Sequence, residues 1–139
     1  VPEVVFQVAS LVVRDVAFQD DATFYQWVFT TSQQTFEKPL VRTLMKLVSP
    51  SLTVLGATRR WSSFHLGSEV IPGSVETVDG RAATAMDLRY PEGLFPRMFL
   101  EGLKHAFLAA IMAARAKDAR VELGAVAAGS ATFIASWRK

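Results

Sequence analysis

At 139 residues the chain has the length of one domain and can bury a core without disulfide or metal staples. Its residues are 50% hydrophobic and 20% charged, which excludes a disordered chain. It has no cysteine, which excludes disulfide frameworks, thiolate nucleophiles and cysteine-ligated zinc or iron–sulfur sites, and a net charge of +2 is too small to argue for nucleic acid.

The opening stretch Val4–Val16 is rich in β-branched residues, and periodicity leaves it open between a strand and a buried helix. It lacks the basic start and cleavage site of a signal peptide. Asp20 and Asp21 are an N-terminal signal for a helix reaching about Phe36, with Phe24, Trp27, Val28 and Thr31 on one stripe. Pro39 suits a first helical turn, and Leu40, Leu44, Leu47 and Val48 follow at helical spacing. Ser49-Pro50 restarts the pattern and predicts a short helix to Trp61.

From Ser68 the period shifts towards two. Val70–Val78 and Arg81–Arg89 flank Asp79-Gly80, a pair suited to a tight hairpin turn, while Pro72-Gly73 predicts an edge position or a bulge in the first strand. A helix is predicted from about Leu94 to Ala116, with Phe95, Phe99, Gly102, Leu103, Ala106, Phe107, Ala110, Ile111 and Ala114 on its apolar face. Gly102 and the alanines are small enough to let that helix lie close on a sheet. Arg120–Ala127 and Ser130–Trp137 form a second hairpin around Ala128-Gly129. The expected fold is α+β: N-terminal helices followed by a ββαββ unit with a four-stranded antiparallel sheet, in a single domain over residues 1–139. The apolar run Phe107–Ala114 has eight residues, well short of the roughly 20 of a membrane span. A cytoplasmic protein with no membrane span is expected.

Few residues point to chemistry. His105 follows Glu101 by one turn and reads as a solvated helix pair. His65 follows Trp61 and Phe64 and is a candidate pocket ligand or acid–base group, set against a buried structural histidine. No second metal ligand lies at a recognisable spacing, so no metal is expected. The carboxylates are scattered, the serines lack a glycine-flanked elbow, and phosphate-binding glycine patterns are absent, which makes an enzyme the weaker hypothesis. Arg59-Arg60-Trp61 reads as a solvated helix end. The aromatic residues Phe24, Trp27, Trp61, Phe64, Phe95 and Phe99 either line a cavity for an apolar ligand or form ordinary core.

The helix pair Leu40–Val48 and Leu52–Trp61 is followed by Phe64-His65-Leu66-Gly67, by Phe99-Leu100-Glu101-Gly102-Leu103 and by a closing Phe133-Ile134-Ala135-Ser136-Trp137. Over about Leu40 to Trp137 this order resembles the heme-NO-binding-like superfamily. That group includes the H-NOX gas sensors, 4-vinyl-reductase-type domains and TRAPP small subunits. In look it is nearest to a family of myxobacterial paralogues of unassigned function. The resemblance implies a cytoplasmic signal-transduction module, sensory or adaptor in kind, that binds an apolar small molecule, a partner protein or both, and dimerises. The apolar N-terminal segment, which needs cover, agrees with a homodimer.

Departures from that group remove its best-known cofactors. His65 stands near the place of the H-NOX proximal histidine, yet Tyr90-Pro91-Glu92-Gly93-Leu94 lacks the serine and arginine of the propionate-binding Tyr-x-Ser-x-Arg motif. The zinc-binding or lipid-modified cysteines of other members have no counterpart. No cofactor and no catalytic residue are expected. The ligand-binding candidates are Phe24, Trp27, Trp61, Phe64 and His65. The alternatives are a small-molecule enzyme or lyase using His65 and a haem-based sensor.

Overall fold

A computed structural model describes residues 2–138. Four helices come first: α1 (Glu3–Ala17), α2 (Asp21–Glu37), α3 (Pro39–Lys46) and α4 (Pro50–Phe64). They are followed by β1 (Glu69–Pro72), β2 (Glu76–Val78), β3 (Arg81–Arg89), α5 (Arg97–Ala113), β4 (Lys117–Ala127) and β5 (Ser130–Arg138). The class is α+β, with an antiparallel sheet ordered β1-β3-β5-β4. Five strands replace the expected four because Pro72-Gly73 breaks the first one. β1 pairs with the end of β3 and β2 with its start, so both share one edge position.

Local chemistry explains the boundaries. Asp20 caps α2 by accepting from the Thr23 backbone N–H at 2.7 Å, and Ser49 caps α4 by accepting from that of Leu52 at 3.2 Å. Asp79 and Gly80 have φ of 50° and 72°, the left-handed pair that a two-residue hairpin turn between β2 and β3 requires. α5 is shorter than predicted because Pro96 fixes its N-terminal cap.

The core lies between the sheet and α5. Along β3 and β5 alternate residues face inward, and Leu88, Phe133 and Ala135 are fully buried. Leu100 and Ile111 of α5 are buried in the same cluster, and Phe107 meets Phe133 edge-on at 5.1 Å. α4 joins this layer through Val54 and Trp61, whose indole N–H donates to Ser68 Oγ at 2.8 Å.

The helical side differs. Gly102 faces α2, not the sheet as the sequence suggested: a Cβ there would lie 3.6 Å from the Phe24 ring. Its small size lets α2 approach α5 closely. The N-terminal stretch is the helix α1, but not a buried one. Its Glu3 and Gln7 are buried, while Val4, Val5, Val8, Val12 and Val16 are more than half exposed. A polar stripe thus faces inward beside Phe6, Ala9 and Val13, while valines face out, against the usual amphipathic arrangement. No helix among the described residues is long and apolar enough to cross a membrane.

Candidate functional site

An apolar cavity of about 570 Å³ lies among α1, α2, α4 and α5, within the usual range of ligand sites. α1 supplies Phe6, Ala9 and Val13, α2 supplies Phe24, Trp27 and Val28, and α5 supplies Phe99, Gly102 and Phe107. Small residues on facing helices, Ala9, Ala57, Gly102, Ala106 and Ala110, keep the space between the aromatic rings unfilled. Phe24 and Trp27 lie 5.9 Å apart between ring centres, and Phe18 braces both from outside at 5.5 and 5.4 Å.

Trp61 and His65 form the polar end. On α4 the inward stripe runs Val54, Thr58, Trp61 and then His65 at the C-cap, a spacing that keeps all four on one face. The His65 ring stacks on Trp61 with centres 3.8 Å apart and meets Phe6 edge-on at 5.5 Å. His65 Nδ1 bonds to Glu3 Oε2 at 2.8 Å. Glu3 is only 2% exposed, and its other oxygen accepts from Gln7 Nε2 at 3.0 Å. The backbone of α1 is tied at the same point, because the Glu3 N–H donates to the Leu66 carbonyl at 3.2 Å. At its other end α1 is held by Arg14, whose guanidinium pairs with Asp21 at 2.7 Å. The helix is thus a strap across the cavity, fixed at both ends by polar contacts and apolar between them.

Of the five ligand-binding candidates, the cavity brings together Phe24, Trp27, Trp61 and His65. Phe64 lies off that face of α4, is 65% exposed and takes no part in the lining. Phe95 belongs to the core, 4.6 Å from Tyr90, whereas Phe99 reaches the cavity. His105 is not a solvated partner of the Glu101 carboxylate. It is half-buried, its Nδ1 donates to the Glu101 carbonyl at 2.8 Å, and its ring stacks on Tyr25. The Glu101 carboxylate pairs instead with Lys104 at 2.7 Å.

Sequence reasoning missed Glu3, Gln7 and Phe6. The legible signal was the series Glu3, Gln7, Ser10 and Arg14, a polar stripe of helical spacing inside an otherwise apolar segment.

A haem, which the superfamily resemblance raises, does not fit these residues. No arginine or lysine lines the cavity to meet two propionates. Tyr90 is engaged elsewhere, its hydroxyl lying 3.2 Å from the Ser130 carbonyl. Apart from haem, whose iron takes a single axial residue, no group of three or more side chains that could hold a metal ion occurs among the described residues. In comparisons with known proteins, the chain matches no family model, no curated protein and no solved structure.

Proposed function

We propose that the protein is a non-enzymatic sensory or adaptor module that binds an apolar small molecule between its helices and acts through protein contacts. The observation that carries this reading is the cavity itself: about 570 Å³ bounded mostly by aliphatic and aromatic side chains, with one imidazole and the hydroxyls of Ser10, Thr31 and Ser32 among them. A core of this size normally fills such space, since voids cost stability in proportion to their volume. The likeness to the heme-NO-binding-like superfamily supports the same reading and suggests a cytoplasmic setting. Binding of phenylnaphthylamine, a neutral fluorescent probe, tests it. Saturable uptake of one molecule per chain is expected, with energy transfer from Trp27 and Trp61. A linear, unsaturable signal contradicts it.

Dimerisation belongs to the same proposal. The outward valines of α1 form an apolar stripe, interrupted by Asp15 near its end, that a second copy of the chain would cover. Sedimentation should then give a mass that rises with concentration and falls to one chain after Val8→Glu. One-chain mass at every concentration counts against it.

The Glu3–His65 pair favours one alternative, an enzyme in which a carboxylate orients an imidazole that acts as a base. On that reading His65→Ala abolishes turnover of a small apolar substrate, and turnover retained after the change removes it.

A further inference from the structure

We infer that the cavity selects a neutral apolar ligand carrying a hydrogen-bond donor, most simply a hydroxyl, which donates to His65 Nε2. This rests on the reading of the cavity as a ligand site and adds the chemistry of its polar end. A carboxylate oxygen accepts hydrogen bonds, so the contact of Glu3 Oε2 with His65 Nδ1 at 2.8 Å assigns the ring proton to Nδ1. In the neutral ring Nε2 then carries a lone pair. It has no hydrogen-bond partner among the described residues, and His65 lines the cavity.

The rest of the network lies behind the cavity wall. Gln7 Nε2 donates one of its two N–H groups to Glu3 at 3.0 Å, and Gln7 Oε1 is buried without a donor, but Gln7 does not line the cavity. The unfilled acceptor that the cavity itself presents at this end is therefore His65 Nε2. Ser10, also in the lining, already donates its hydroxyl to the Phe6 carbonyl at 2.9 Å. Thr31 and Ser32 line the α2 side, and their hydroxyls donate or accept alike, so they do not discriminate.

An anionic head group is selected against. No lysine or arginine lines the cavity, and the nearest charge behind His65 is the Glu3 carboxylate, which repels a second anion. A ligand with only an ether or carbonyl oxygen would bring an acceptor to the acceptor at His65 Nε2. The stacking of His65 on Trp61 holds the ring plane, so the acceptor direction is fixed before a ligand arrives.

The test is displacement of phenylnaphthylamine by dodecanol, dodecyl methyl ether and dodecanoate. Dodecanol should bind about 3- to 10-fold tighter than the ether, as one net hydrogen bond gives. Dodecanoate should be weakest. His65→Phe should level alcohol and ether. Long-range proton–nitrogen NMR of the unmodified protein reads the tautomer without any variant, and should show the hydrogen on Nδ1. Equal affinity for alcohol and ether, preference for dodecanoate, or a hydrogen on Nε2 overturns the inference while leaving the cavity reading standing. If phenylnaphthylamine itself fails to bind saturably, the ligand site and this inference both fall.

Discussion

Phe133 in β5 and Phe6 in α1 are the same residue in opposite circumstances. Phe133 is fully buried among Met86, Leu88, Leu100 and Ala135, and it lies edge-on to Phe107. Phe6 is 42% exposed and touches His65 and Phe99 across the mouth of a cavity. The contrast extends to the two regions around them. In the sheet and the face of α5 that covers it, apolar residues fill space. Among α1, α2 and α4 they surround it, with small residues at the points where filling would be easy. The lesson is that hydrophobic content does not distinguish packing from binding; the distribution of side-chain volume does.

Matched substitutions break or sharpen that contrast. Phe133→Ala should cost about 3–5 kcal/mol in denaturant unfolding, the range for a buried phenylalanine, whereas Phe6→Ala should cost about 1 kcal/mol. Equal costs would mean that both regions are ordinary core. Enlarging an alanine should change sign between them. Ala135→Phe overpacks a filled site and should lower stability by about 1–3 kcal/mol. Ala106→Phe enters the cavity, should leave stability unchanged or raised by about 1 kcal/mol, and should abolish probe binding.

The smallest effect concerns acid. The Thr23 backbone N–H holds the Asp20 carboxyl below its ordinary range at the start of α2, and the Arg81 guanidinium does the same for Asp118 at the end of the sheet. A carboxyl lowered on folding adds stability that is present above its unfolded pKa, about 3.9, and lost as pH falls through its folded value. Thermal unfolding followed below pH 4 should therefore show a shallower acid loss in Asp20→Ala and in Asp118→Ala than in the unmodified chain. Both groups are exposed, so each difference should be slight.

The sheet half was readable because its signals are local. Asp79-Gly80 needs only its own two residues to specify a turn, and alternation in β3 and β5 fixes which face is buried. The broken edge strand was foreshadowed by Pro72-Gly73, although its split into two strands was not. The site was legible only in part. Phe24 and Trp27 share a stripe, and Trp61 and His65 are one turn apart, so they can be grouped from spacing. Phe64 lies off the cavity because adjacent residues on a helix diverge by about 100°, and His65 takes the inward place. The Glu3–His65 bond joins residues 62 apart in sequence, and no spacing encodes such a contact. The helix α1, with its outward valines, was obscured because β-branched residues suit a strand as readily as a helix whose face is covered by something else.

A crystal held under xenon pressure tests the central claim most directly, since xenon occupies dry apolar cavities without needing polar partners. The account predicts xenon density between Trp27, Trp61 and Phe99, beneath α1, and none between α5 and the sheet. A structure in which α1 closes onto α2 and α5, leaving no space there and no xenon, would contradict it.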